Sequence, residues 1–291
     1  MEALQIRNEY TPDAILKNGK AESSARGRYV SEEEYWEKYY EHPDFNYEWN
    51  NGYLEEKPVT DLDGSLMYQW FFKVLQNFLE INPVAIMMNL EMGFRLAMLS
   101  KTTIRKPDLG VIADNNIIQP EGKDCTFKGV FDICVESLSH ADRDAVTRDT
   151  IIKKREYENI GVKEYYILDA WKEKTVFYKR NKRGNYTKIK PVGKDIIRSA
   201  ALPGFQFRIS DLYKQPSLLS LTEDKVYQKF IMTHYQRERK LKNRECKLKN
   251  RERKLKEEAL KQVDQERKLR DMATERAERV EAKLRELGIV I

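Results

Sequence analysis

Three cysteines, Cys125, Cys134 and Cys246, are all that 291 residues contain, none in a CxxC pair and none beside a histidine at metal-ligand spacing. That argues against a disulfide framework or a zinc site, and a reducing, cytoplasmic setting is expected. Histidine is as scarce: His42, His140 and His234 stand apart and read as isolated surface residues. No stretch approaches the roughly 18 uninterrupted apolar residues of a membrane span, and the opening "MEALQIRNEYTPDAILKNGK" has no apolar core of a signal peptide, so no membrane partner is expected. GxGxxG and GxxxxGK[ST] loops are absent, as is any Ser/His/Asp or Cys/His set, which leaves nucleotide-binding and acyl-transfer chemistry without support.

Charge is plentiful but local. Residues 235–258 carry eleven Lys/Arg against five Asp/Glu, so this segment alone accounts for the net charge of +6 of the whole chain. The basic balance therefore describes a tail and not a globular surface. Within it the sequence repeats every seven residues, "RKLKNRE", "CKLKNRE", "RKLKEEA", aligning Leu241, Leu248 and Leu255. One apolar position per heptad is half of a coiled-coil seam, whereas Ala273, Ala277, Val280, Leu284 and Leu287 follow the full 4-3-4-3 spacing. The tail, residues 223–291, is expected to be a long coiled-coil helix that pairs weakly in its basic part and better near its end to make a homodimer, with direct DNA contact by its basic part as the alternative.

Ahead of the tail, residues 1–28 are polar and aperiodic and read as a mobile arm. "SEEEYWEKYYEH" opens with Ser31 and Glu34 in capping-box spacing and predicts a helix of about ten residues. "NYEWNNGYLEEK" centres Asn51-Gly52 between two extended runs, a hairpin signal that puts Glu48 on its first strand. Leu62, Leu66, Trp70, Val74 and Asn77/Phe78 mark a core-facing helix to Leu79. Strands are expected in "VAIMMNLEMGFRLAM", "KPDLGVIA" and "VFDICVES", then a helix within 140–160 ended by Gly161. "EYYILDA", "KTVFYKR" and "YTKIK" read as a three-strand meander around an "NKRGN" turn. This order predicts an α/β domain over residues 29–215 with a central mixed sheet of about five or more strands.

"FDICVESLS" raises the chemical question, because Glu136 sits in an apolar strand where an ionised carboxylate needs a cation. One candidate is a metal shared with Asp108, which enters another apolar strand in "RKPDLGVIA"; two carboxylates on adjacent strands make an oxygen site of the kind Mg²⁺ takes. The other is Lys153. On the helix "RDTIIKKREYENIG" it shares a 3-4 stripe with Val146, Asp149/Thr150, Tyr157 and Ile160 and should point inward, whereas Lys154 falls on a more polar face and reads as solvated. Asp149 and Tyr157, at i−4 and i+4, are placed to orient Lys153.

An Asp, a Glu and a lysine so arranged resemble the PD-(D/E)xK nuclease superfamily. Pro107-Asp108 and Glu136 fit its pattern, but the position two after Glu136 is Leu138 and not lysine. "VESLS", "RDTIIKKREY" and "GVKEYYILD" together are similar to the Uma-type restriction endonuclease family, in which the lysine stands on the following helix. That family's offsets, four before the tyrosine and eight before the glycine, fall on Lys153, and its hairpin brings in Glu48. The C-terminal "KLRELGIVI" is similar to the ending of members with coiled-coil tails. Family members often carry a histidine at the start of the helix after the hairpin, where this chain reads "DLDGSLMYQW".

The resemblance implies a restriction-endonuclease-like core and a metal-dependent endonuclease acting on DNA. Mg²⁺, with Mn²⁺ as substitute, would be held by Asp108 and Glu136 with Glu48 as a further ligand, while Lys153 orients or activates the nucleophile. The alternative is a catalytically silent module that uses the same fold for DNA or partner binding through its coiled coil.

Overall fold

The computed structural model describes residues 23–89, 92–141, 143–193 and 195–286, apart from a few side chains in the tail. The chain falls into two compact units, Met1–Ser217 and Leu218–Ile291. Of the expected arm, residues 1–22 lie outside the described residues. Its last residues are engaged: the Gly27 amide donates to the Leu54 carbonyl and the Leu54 amide to that of Arg28.

Ser31 caps α1 (Glu32–Glu34) by accepting the Glu34 amide, and the helix widens at once into a π-helical stretch, Tyr35–Tyr39. Tyr35 and Tyr39 enter an aromatic cluster with Tyr47 and Trp49. β1 (Tyr47–Asn50) and β2 (Tyr53–Glu56) form the hairpin. Asn51 and Gly52 at its tip both have positive φ, 49° and 104°, the geometry of the tight turn that Asn-Gly favours.

Asp61 caps α2 (Leu62–Ile81) by accepting the Gly64 amide at 2.8 Å. The buried face runs Met67, Trp70, Phe71, Val74, Leu75 and Phe78, while Leu62 and Leu66 are exposed. The i+4 row expected from sequence turns about 40° per step at 3.6 residues per turn, so its first members rotate off the core face. The buried stripe alternates steps of three and four instead.

β3 (Ala85–Met88), β4 (Gly93–Ala97), β5 (Thr102–Arg105), β6 (Leu109–Ala113), β7 (Thr126–Phe127) and β8 (Ile133–Ser137) follow. α3 (Arg143–Thr147), a π-helical stretch (Arg148–Ile152) and α4 (Lys153–Ile160) make one continuous helix, ended by Gly161 at φ 101°. Then come β9 (Glu164–Leu168), β10 (Val176–Arg180), β11 (Tyr186–Lys188), β12 (Ile196–Arg198), β13 (Gln206–Arg208) and α5 (Ile209–Lys214). The fold is mixed α/β, but its strands divide between two larger sheets where the sequence suggested one. One sheet runs β11-β10-β9-β8-β6-β3 and the other β2-β1-β5-β4-β7, with β12 and β13 as a separate pair. The chain passes between the larger sheets over Lys106-Pro107-Asp108. Pro107 has no N–H to offer a ladder and stands where pairing stops.

In the six-stranded sheet only β8 and β9 are parallel, and the α3–α4 helix is the crossover that this pairing requires. Both faces of β8 are covered, which is why Ile133–Glu136 are all buried. In the second unit α7 (Gln228–Glu286) is a single 59-residue helix. Leu241, Leu248 and Leu255 are exposed along it. Leu287 of the expected seam lies outside the described residues, as does the side chain of Leu284.

Glu164, fully buried at the start of β9, accepts hydrogen bonds from the Ala200 and Ala201 amides and from the hydroxyls of Ser199 and Tyr166. It ties the sheet to the segment before β13. Glu164→Ala orphans these donors and is expected to cost about 2–4 kcal/mol in urea unfolding, with Glu164→Gln recovering part of it. Equal midpoints for Glu164→Ala and the parent would show that the tie carries no stability.

Candidate functional site

Asp108 and Glu136 meet through strand register. β6 and β8 are antiparallel with Leu109 opposite Val135, so Asp108, one residue before Leu109, comes level with Glu136, one after Val135. The Ser137 amide donates to Asp108 Oδ2 at 2.6 Å and closes the pair. On its other side Asp108 Oδ1 lies 2.8 Å from Lys57 Nζ, which also donates to the Lys106 carbonyl.

Glu136 faces the helix. Tyr157 donates its hydroxyl to Glu136 Oε1 at 2.9 Å, and Lys153 Nζ approaches the same oxygen at 3.0 Å. Lys153 has no solvent exposure and also lies 3.1 Å from both Glu48 Oε1 and Asp149 Oδ1. Its ammonium makes no well-aligned hydrogen bond to any of the three acids, so charge rather than directional bonding holds it. Five residues picked out from the sequence, Glu48, Glu136, Asp149, Lys153 and Tyr157, thus converge directly. Tyr157 orients Glu136 and not Lys153. Asp108 joins through Ser137 and Lys57.

Glu48 is held hard: Oε1 also accepts the Lys106 amide at 2.8 Å, and Oε2 faces Arg105 Nη1 at 3.2 Å. Arg105, likewise fully buried, spans Glu48, Glu55 and Glu156, the last through two nitrogens at 2.6 and 2.9 Å. Lys101 pairs with Glu156 and Arg148 approaches Glu48 and Asp149. Lys57, Arg105, Arg148 and Glu156 also belong to the cluster and were not among the residues expected from the sequence. Glu156 was findable, because it lies seven residues after Asp149 and three after Lys153 on the same stripe. Lys154 is half-buried over the Tyr178 ring, a cation–π contact and not the solvated lysine expected.

Burial alone would raise the Glu48 carboxyl, but Lys153, Arg105, Arg148 and Lys57 outweigh it and hold Glu48 far below the usual range. Glu136 goes the other way: burial pushes it up to about 8, with Lys153 opposing and Asp108 and Asp149 reinforcing. Burial would deprotonate Lys153, yet Asp149, Glu136 and Glu48 keep its proton affinity well above that of a free lysine. Lys57 is held up likewise, chiefly by Asp108. Six carboxylates (Glu48, Glu55, Asp108, Glu136, Asp149, Glu156) face five cations (Lys57, Lys101, Arg105, Arg148, Lys153).

The Asp108 side opens outward. A cleft of about 570 Å³ is lined by Asp108, Ser137, Lys57, Thr60, Ser65 and Tyr68 among others, with Tyr68 donating to the Asp108 carbonyl at 3.0 Å. Ser65 and Tyr68 belong to the first turns of α2. A Cβ on Gly64 would meet Thr60 Oγ1 at 2.4 Å, so a side chain there requires the Thr60 hydroxyl to shift. Among the described residues no group of three or more His, Cys, Asp or Glu forms a ready-made metal cage. Asp108 lines the cleft and Glu136, level with it on the next strand, lies buried behind it; such a pair suits Mg²⁺, which is commonly bound by one or two carboxylates together with water and substrate phosphates.

The histidines differ from the sequence expectation. His140 stacks on Trp171 at 4.1 Å and pairs through Nε2 with Asp169 at 2.9 Å, and His42 Nδ1 accepts the Asp44 and Phe45 amides. Both are structural rather than isolated; the side chain of His234 lies outside the described residues.

Removing Arg105 tests whether this cluster holds the two sheets and the helix together. Arg105→Met leaves Glu48, Glu55 and Glu156 without their shared partner and is expected to cost about 3–5 kcal/mol in denaturant unfolding. A loss under about 1 kcal/mol would mean the acids find other cations.

Among described residues no helix is long and apolar enough to cross a membrane. No curated protein matches the chain. A solved structure described as a putative nuclease belonging to DUF820 from Anabaena variabilis ATCC 29413 is similar at 14% identity and a TM-score of 0.49, over 64% of this chain and 98% of that one. The Uma2 family model, described as "Putative restriction endonuclease", matches residues 32–210, the stretch that carries every residue of the cluster. The chain belongs to the Uma2 family.

Proposed function

We propose that the protein is a metal-dependent endonuclease that hydrolyses DNA phosphodiester bonds at the Asp108–Glu136 pair. One observation carries this reading: two carboxylates level on neighbouring strands, beside a lysine with no solvent exposure at 3.0 Å from Glu136. Asp108 and Glu136 would hold Mg²⁺ or Mn²⁺; both oxygens of Glu48 are already engaged, and its part is to fix Lys153. When bound, the cation would supply Lewis acidity and a water of lowered pKa.

The chain's own residues do the rest. Lys153 stays an ammonium under the pull of Asp149, Glu136 and Glu48, so it serves as fixed positive charge toward a pentacoordinate phosphate and not as a general base. Tyr157 sets the Glu136 carboxyl, and Ser137 sets that of Asp108. Lys57, 2.8 Å from Asp108 on the cleft wall, is placed to release the carboxylate to a metal and turn to a phosphate. The exposed Leu241, Leu248 and Leu255 row supports a homodimer through the tail, which would bring two active sites to two strands.

Supercoiled plasmid incubated with Mg²⁺ or Mn²⁺ should be nicked by the parent, not in EDTA, and at least about a hundredfold more slowly by Asp108→Ala. Silence of parent and variant alike under both metals, with both folded, would transfer the reading to the silent binding module. Lys153→Ala should lose cutting to a similar degree while retaining most DNA affinity, with its fold checked by circular dichroism because three acids lose their partner. Light scattering should give twice the chain mass for the parent and one chain mass after Leu241, Leu248 and Leu255 are all changed to Glu.

A further inference from the structure

The cleft at Asp108 does not end at the metal-site carboxylates. A second cavity of about 660 Å³ adjoins it, and the two share Asn46 and Asn89 in their walls. We infer that this second chamber receives one unstacked nucleobase next to the scissile phosphate, so that the preferred substrate carries an unpaired base beside the cut. The inference rests on the nuclease reading and adds the substrate class.

The chemistry of the walls selects a base over a phosphate. Phe45, Met87, Met88 and Met92 give an apolar, partly aromatic lining, the kind of surface on which the flat face of a base packs. Lys106 is the cation among the lining residues, and its ammonium is committed to the Tyr40 carbonyl at 2.6 Å and to Asn46 Oδ1 at 3.2 Å while lying over the Tyr40 ring. Glu41 and Asp44 are the acids of the lining, and their carboxylates repel a phosphodiester but not a neutral base. The primary amides of Asn46 and Asn89 stand where the two cavities join. Asn46 Oδ1 accepts from Lys106, so Asn89 is the amide that can pair with the edge of a base through a donor and an acceptor together.

Position supplies the second half of the argument. The Lys57 amide donates to the Asn46 carbonyl, so the residue beside Asp108 and the residue at the chamber's entrance lie on adjacent backbone. A nucleotide whose phosphate reaches Asp108 thus has its neighbouring base within reach of the chamber. A base stacked and paired in a duplex cannot enter a side chamber without leaving the stack, at a cost that a single strand, a mismatch or a bulge has already met.

Cys125 gives a test that leaves folding untouched. It lines the chamber and is exposed, Cys134 is buried, and Cys246 lies in the tail. In the full chain carrying Cys246→Ser, a bulky maleimide on Cys125 fills the chamber after folding. Fluorescence anisotropy in EDTA, at about 0.2 M salt to weaken the exposed basic residues, compares a single-stranded oligonucleotide with the duplex of the same sequence. The unmodified protein should bind the single strand about tenfold more tightly. Alkylation should remove most of that preference while changing duplex binding less than about twofold. The single strand should also slow alkylation of Cys125. Equal affinity for both forms, or a preference that survives alkylation, overturns the chamber while leaving the nuclease reading intact. Binding of neither form overturns the chamber, and the plasmid assay with metal decides the nuclease reading separately.

Discussion

Everything at the site depends on burying the charge of Lys153. An ammonium with no solvent exposure carries a desolvation penalty of several kcal/mol, and three carboxylates at 3.0–3.1 Å offset it. Those acids are themselves buried and need further cations, which Arg105, Arg148 and Lys57 supply. The chain of compensation ties β1, β5, β8 and the α3–α4 helix to one another. No member can be withdrawn without stranding a charge, so the cluster sets the docking of the helix as firmly as the apolar contacts beneath it do.

The helix answers this demand with a π-helical stretch. Lys153 donates its amide to the Arg148 carbonyl, five residues back, at the end of the Arg148–Ile152 segment. The wider turn brings Arg148, five residues before Lys153, toward the lysine's face beside Asp149, where a regular helix at about 100° per residue would place it about 140° away. π-helical turns recur at functional sites because they re-aim side chains at a cost in backbone regularity. Here the re-aimed residues are the ones that surround the lysine.

Much of this was legible in the sequence where local rules act alone. Ser31 and Asn51-Gly52 mark real boundaries because capping and positive φ are local properties. The stripe of Asp149, Lys153 and Tyr157 was readable because a single period governs a helix. The division of strands into two sheets was not, because the break at Pro107 looks in sequence like an ordinary strand entry. Arg105 was hidden for a related reason: an arginine at the end of a strand reads as solvated, and only the pairing of β1 with β5 brings Glu48 and Glu55 to it. Leu62 and Leu66 misled because they look apolar at a plausible spacing, yet the core lies on the face that Met67 and Phe71 share.

The missing strand lysine has a physical counterpart. Two residues after Glu136 stands Leu138, buried in the cluster that holds Phe94, Phe131 and Tyr157. A lysine there would have to bury its ammonium among aromatic rings. Placing the lysine on the helix keeps the strand apolar and lets the ammonium reach Glu136 from the helix side, together with Asp149 and the hydroxyl of Tyr157. The price is that the lysine is positioned only once the helix has docked. Assembly of the buried charge cluster and completion of the fold are then one event.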